Sequence, residues 1–255
     1  MGLTGWSTSN YLSTTSMPIA AYPFLVSLWF ISPGNATDRY MLSLGASATD
    51  EKGSLAASAS GRYQSWSYKD PAFGPAQSDV GAIPTSTWNN YVGTFNSTTS
   101  RDVYKDGTCK FSDTTTVVPS TPTILTIGVS PVAVSPLGID EGIAEASIWD
   151  TTTGFSSTDR DNLAVQLATS ANPMAINVQA AQAWTGKLVW YRRLFNTAEL
   201  NVGTTGSDLT MTGTLTNHAS HPTVDAPPAP LIAVAKYNYF PKPAMRSPIT
   251  AGRLR

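Results

Sequence analysis

The chain has a single cysteine, Cys109, in 255 residues. No intrachain disulfide can form, so the fold must rest on burial and hydrogen bonding alone. Charge is also scarce: 13% of residues are charged, against about 25% in ordinary globular chains. The net charge of −1 excludes the broad basic field that draws phosphate backbones, so no nucleic-acid partner is expected. Residues 1–37 carry no charged side chain. Without a basic segment ahead of an apolar run, no secretory signal is expected, and synthesis in a reducing cytoplasm is. The longest apolar stretch, Ile19–Ile31, contains Pro23 and Ser27 and falls short of the roughly 20 residues that cross a bilayer as a helix. No membrane partner is expected. There is no nucleophile elbow, no phosphate-cradling glycine loop and no repeat of fixed period.

What remains is a polar, weakly charged chain with the marks of strands. Phe24–Ile31, bounded by Pro23 and Pro33, reads as a central strand. Tyr40–Leu44 and Leu55–Ser60 read as short strands parted by a polar turn of Asp50, Glu51, Lys52 and Gly53. Arg62–Tyr68 alternates, which puts Gln64, Trp66 and Tyr68 on one face and Tyr63, Ser65 and Ser67 on the other. Residues 70–87, with three prolines and two glycines, read as a long loop. Asp106-Gly107 is the strongest hairpin signal, because both residues tolerate positive φ. One helix is expected, capped by Ser156 with Asp159 closing a capping box, carrying Leu163 and Leu167 on one face, and ended by Asn172-Pro173. Lys187–Tyr191 and Leu209–Thr216 read as further strands. From Ala226 onward, repeated prolines forbid a long helix or central strand.

Four segments follow in order: Trp88-Asn89-Asn90-Tyr91, Tyr104-Lys105-Asp106-Gly107, Leu125-Thr126-Ile127-Gly128, and Gly138-Ile139-Asp140-Glu141 running on to Ile148-Trp149. This order resembles the laminin-G-like modules of the concanavalin A-like lectin/glucanase superfamily, over about residues 24–168. The resemblance implies an all-β fold, a two-sheet antiparallel jelly-roll sandwich with one short helix and an extended C-terminal arm. The expected organisation is a sandwich over residues 1–175, additional strands packed on or extending it over 176–225, and a Pro-rich basic arm over 226–255.

Glucanases of this superfamily use carboxylates alternating along one strand. Here Asp140 and Glu141 are adjacent and point to opposite faces. Glu141 and Glu145 share a face but lie about 13 Å apart at strand rise, beyond the separation that a glycosidase pair uses. Glycoside hydrolysis is therefore rejected, with no catalytic residue assigned. His218 and His221 lack the third and fourth ligands that zinc needs. The loop acids Asp70, Asp79, Asp102 and Asp106 have no spacing that singles out a calcium cage. No metal and no cofactor is expected. Gln64, Trp66 and Tyr68 form the candidate ligand face, since aromatic rings offer apolar surfaces to a sugar; packing against a neighbouring element is the plainer role for such rings.

The last twenty residues carry Lys236, Lys242, Arg246, Arg253 and Arg255 and no acid, while the other 235 sum to −6 from 11 basic and 17 acidic side chains. Tyr237, Tyr239 and Phe240 supply anchors of the kind that dominate interfaces. With Lys242 and Arg246 they make this arm the candidate partner-binding segment; a solvated tail is the alternative. Asn172-Pro173 with Ile176, Asp208-Leu209 with Gly213-Thr214, and His221-Pro222 resemble the ending of laminin-G-like modules in tailed-bacteriophage virion proteins. That resemblance implies a non-enzymatic virion surface protein, a head decoration or tail-associated subunit. It would be made in the host cytoplasm and bound to other virion proteins or identical subunits through the arm, with a host surface glycan as a candidate ligand. The alternatives are a free carbohydrate-binding lectin and, third, a glycoside hydrolase.

Overall fold

The computed structural model describes residues 2–32, 34, 38–47, 49–131, 137, 140–170, 172–194, 208–217 and 222. Fifteen strands and two helices follow one another among them. In order they are β1 (Leu3–Thr4), β2 (Tyr11–Thr14), β3 (Phe24–Ile31), β4 (Arg39–Ser47), β5 (Asp50–Ala57), β6 (Tyr63–Lys69), β7 (Ala72–Gln77), β8 (Asn89–Ser97), β9 (Ser100–Lys105), β10 (Cys109–Asp113), β11 (Ile124–Ile127) and β12 (Gly142–Asp150). Then come α1 (Ser157–Thr169), α2 (Pro173–Asn177), β13 (Leu188–Arg192), β14 (Thr210–Thr212) and β15 (Thr216–Asn217).

The strands form two antiparallel sheets, as a jelly-roll sandwich requires. Sheet one runs β10-β9-β8-β3-β12-β1-β15, with β13 also paired to β12; sheet two runs β14-β2-β11-β4-β5-β6-β7. Their inner faces share one core. Phe24, Val26, Leu28 and Phe30 of β3 and Ile143, Ala146 and Ile148 of β12 meet Leu42, Leu44, Leu55, Leu125 and Ile127 of sheet two. Phe24 and Phe95 stack with ring centroids 4.8 Å apart. Two arginines stitch the sheets together. Arg101 of β9, wholly buried, donates to the Gly74 carbonyl of β7 at 3.1 Å and pairs with Asp113. Arg39 of β4 pairs with Glu141 just before β12.

Several elements differ from the sequence expectation. Asp50, Glu51, Lys52 and Gly53 are not a turn; they begin β5. Gly53 is placed there by packing, since a Cβ would come within 2.8 Å of the Phe24 ring. The expected loop over 70–87 contains β7. Its Pro75 is tolerated because β7 is the edge of sheet two, where a missing N–H leaves no ladder partner unpaired. Asn172-Pro173 does not end the first helix, which stops at Thr169; it opens α2, with the Asn172 side chain accepting from Ala175 N at 3.1 Å and proline in the first turn. A second helix therefore joins the expected one, whose Ser156–Asp159 capping box is present in full. The single strand read over Leu209–Thr216 is two, divided around Gly213. β14 pairs with β2 in sheet two and β15 with β1 in sheet one. Asp102 is not a loop acid but lies in β9. The hairpin at Asp106-Gly107 has positive φ at both residues, 50° and 71°.

The outer faces of the two sheets differ. On sheet one, α1 and α2 lie over Leu25, Val92, Tyr104 and Trp149, contributing Leu163, Ala164, Leu167 and Ile176 to a second apolar cluster. Asp161 of α1 accepts from the Tyr104 hydroxyl at 2.6 Å and from Lys110 at 2.9 Å, which fixes the helix to the sheet. No described helix lies on the outer face of sheet two.

Candidate functional site

Cross-strand register places Gln64 opposite Gln77, Trp66 opposite Pro75 and Tyr68 opposite Phe73. On the other side of β6, Ala56, Ser54 and Glu51 of β5 stand beside Gln64, Trp66 and Tyr68. All of these share the outer face of sheet two. Tyr63 packs on Tyr91 in the core, and Ser65 donates to the Asp102 carbonyl of the opposite sheet at 2.9 Å. The sequence alternation thus sorts these residues as the structure does. The three face residues are not equally presented. Trp66 is only 7% exposed, while its neighbour Phe73 is 45% exposed. The rings make an edge-to-face row: Tyr40–Trp66 at 5.2 Å, Trp66–Phe73 at 5.5 Å and Phe73–Tyr68 at 6.1 Å. Gln64 Nε2 donates to Gln77 Oε1 at 2.8 Å.

At the foot of this row lies a residue that sequence reasoning missed. Glu51 is 0% exposed. Its Oε2 accepts from Ser54 Oγ at 2.6 Å, Trp66 Nε1 at 3.0 Å and Ser43 Oγ at 3.4 Å. Its Oε1 is buried without a hydrogen-bond partner. No cation among the described residues lies within ion-pair distance of it: the nearby Lys52 donates to the Ala20 carbonyl, and Lys69 pairs with Asp50. Burial pushes the Glu51 carboxyl above its usual range, against the lowering effect of its hydrogen bonds. Tyr40 is raised in turn, first by its own burial and then by Glu51. The signal available in the sequence was Ser43, a small polar residue in a run of large apolar ones. It sits opposite Ser54 on this face, 2.7 Å away between hydroxyls.

The acids of β12 are placed differently from the expectation. Glu141 and Glu145 do not share a face. A bulge between Ala144 and Ser147 interrupts the alternation, and an extra residue in one strand re-aims the side chains around it. Glu145 takes φ of 53°. Its carboxylate turns to the outer face of sheet one, where it accepts from the Tyr191 hydroxyl and faces Arg193 Nε at 3.9 Å. Glu141 turns to Ser32, 2.7 Å away, and Arg39. Each carboxylate is buried and held by a cation, so the two do not converge on one solvent-filled space. Tyr237, Tyr239, Phe240, Lys242 and Arg246, like His218 and His221, lie outside the described residues. Among the described residues no three His, Cys, Asp or Glu side chains group to hold a metal ion, and no helix is long and apolar enough to cross a membrane.

This sandwich, with its ordered Trp, Asp-Gly and Ile-Trp segments, has a family. The family model described as concanavalin A-like lectin/glucanases superfamily, of the laminin-G type, matches residues 6–154. The chain belongs to that superfamily. No curated protein matches it. Similar solved structures include mouse laminin alpha1 chain domains LG4-5, at 11% identity and TM-score 0.45 over 58% of this chain and 40% of that one. Another is domain 4 of AbnA, an extracellular arabinanase from Geobacillus stearothermophilus in complex with arabinotriose, at 19% and 0.43 over 59% and 68%. A third is full-length tailspike protein 2 of the Escherichia coli O157:H7 bacteriophage CAB120, at 13% and 0.49 over 76% and 26%. The matched region thus spans less than half of the laminin and tailspike chains.

Proposed function

We propose that the chain is a non-enzymatic structural protein of a tailed-bacteriophage virion, a head decoration or tail-associated surface subunit made in the host cytoplasm. One observation carries this reading. Residues 226–255 hold Tyr237, Tyr239 and Phe240 beside five cations and no acid, the composition of a docking segment. The bulged β12 supports the non-enzymatic half, because the buried Glu141 and Glu145 carboxylates are tied to separate arginines. The ending over Asn172-Pro173, Asp208-Leu209 and Gly213-Thr214 supports the virion half by its resemblance to phage modules. The partners are other virion proteins or identical subunits, engaged by Tyr237, Tyr239, Phe240, Lys242 and Arg246. Deleting residues 226–255 is expected to keep the circular dichroism spectrum and remove attachment to particles. Attachment that survives the deletion overturns the reading, as does a polysaccharide hydrolase rate abolished by Glu145→Gln.

A second reading, a free carbohydrate-binding lectin, is favoured by the exposure of Phe73 beside Tyr68 and Gln77 at the edge of sheet two. A glycan-array signal lost in Tyr68→Ala would establish it.

A further inference from the structure

We propose that Glu51 is a proton-operated latch in sheet two: neutral, it holds β4, β5 and β6 together, and ionised, it lets the β6–β7 edge open around Trp66. The placement of the carboxyl carries the inference. Glu51 stands in β5 opposite Gly45 of β4 and Tyr68 of β6. A Cβ at Gly45 would lie 3.3 Å from Glu51 Cγ, so glycine there leaves the room that the side chain fills. One oxygen, Oε2, collects three donors: Ser43 Oγ from β4, Ser54 Oγ from β5 and Trp66 Nε1 from β6. The other, Oε1, is buried with no partner. The carboxyl thus ties three adjacent strands through a single atom.

This arrangement suits the neutral acid and not the ion. An ionised carboxylate presents about four acceptor sites over two oxygens, and a charge kept from water is stable only when paired or fully hydrogen-bonded. Glu141 and Glu145 meet that condition with arginines; Glu51 has no such partner among the described residues. The ionisable groups on the strands around it are Tyr40 on β4, Tyr68 and Lys69 on β6 and, on its own strand, Asp50 and Lys52. Burial holds the Tyr40 hydroxyl well above its usual range, so it stays neutral. Asp50 and Lys69 pair with one another, while Lys52 turns to the Ala20 carbonyl and the Tyr22 ring. β7 and β11 carry no ionisable side chain.

Ionisation is therefore relieved by water, and the sheet edge is where water enters. Trp66 leans edge-on against Phe73, which is exposed on β7, the last strand of sheet two. An edge strand is held by one ladder rather than two, so β7 is the neighbour that gives most readily. Opening places Glu51 in water, where a carboxyl ionises at its ordinary value of 4.5; the closed state holds it above that, because burial outweighs its hydrogen bonds. Below 4.5 both states keep the proton, and pH does not move the balance. Above it the open state gains by about ten-fold per pH unit, until the closed state ionises as well.

The experiment is amide hydrogen exchange of the full chain, read by mass spectrometry from about pH 4 to about pH 9. Protection of β5 and β6 is divided by that of α1 in the same sample, which cancels the intrinsic pH dependence of exchange. In the parent the ratio is expected to fall as pH rises above 4.5, by up to about ten-fold per unit. In Glu51→Gln, which is neutral at every pH, it is expected to stay flat. Iodide quenching of tryptophan emission, taken as the difference between the parent and Trp66→Phe, is expected to grow over the same range. A flat ratio in the parent overturns the latch, whether nothing loosens or the whole domain loosens at once. A ratio that falls equally in Glu51→Gln overturns it too. Should Glu51→Gln fail to fold, the parent decides alone: both its ratio and its Trp66 quenching must change, and constancy of either overturns the inference.

Discussion

The two outer faces of the sandwich solve the same problem in opposite ways. A sheet buries one face against its partner sheet and must do something with the other. Sheet one covers its outer face with α1 and α2, and large side chains stand there: Trp149, Tyr104, Leu25. Sheet two leaves its outer face to Ser43, Ser54, Gln64, Gln77 and a row of rings over a buried acid. The difference separates a face sealed by helices from one whose edge leaves the Phe73 ring exposed. Damage to the first face should cost folding free energy; a change at the exposed Phe73 edge of the second should leave folding nearly untouched.

The largest expected effect tests the covered face at its centre. Trp149 is 0% exposed beneath α1, and Trp149→Ala should destabilise the chain by about 3–5 kcal/mol in urea unfolding. Gly107→Val comes next. Gly107 has φ of 71°, and its Cβ would lie 2.7 Å from the Val165 backbone of α1. Left-handed strain and collision together should cost about 3 kcal/mol, read from the same unfolding curves. Ser156→Ala removes the cap of α1, whose hydroxyl accepts from Asp159 N at 3.1 Å, and should cost about 1 kcal/mol.

On the second face the expected effects are smaller and different in kind. Because burial raises Glu51 above its usual 4.5, its native proton contributes stability below that value. This contribution is lost as pH rises through the native pKa. Glu51→Gln should therefore gain on the parent as pH rises above 4.5, measured as the difference in unfolding midpoints. A constant difference would show that the carboxyl does not titrate in its native setting. The smallest effect belongs to Phe73→Ser, within about 0.5 kcal/mol of the parent. A large loss there would erase the contrast between the faces.

The helix-covered face was legible in the sequence and the other only in part. Leu163 and Leu167 at helical spacing behind Ser156, and Ile148-Trp149 at a strand end, carry their roles in their pattern. So does the alternation that sorts Tyr63 from Gln64. Glu51 was hidden because three charges and a glycine in succession read as a turn. What overrides that reading is tertiary: the Phe24 ring needs Gly53, and the serines of β4 and β5 receive the carboxylate. β7 was hidden by Pro75, which only an edge position excuses. The bulge in β12 left no local mark, since a glutamate at positive φ breaks no composition rule; it is held by its partner strands and by Tyr191.

The pairing of the last described strands with the first has a consequence for how the chain reaches this state. Thr214 N donates to the Asn10 side chain across 204 residues of sequence, and β14 and β15 pair with β2 and β1. Contacts of such separation carry a loop-closure penalty that slows the search. During synthesis β1 and β2 emerge about 200 residues ahead of β14 and β15, and their outer ladders stay unfilled until those strands arrive. Until then the edges of both sheets present open hydrogen-bonding groups. Co-translational aggregation, rather than loss of native stability, is thus the failure to expect when the pairing around Gly213 is disturbed.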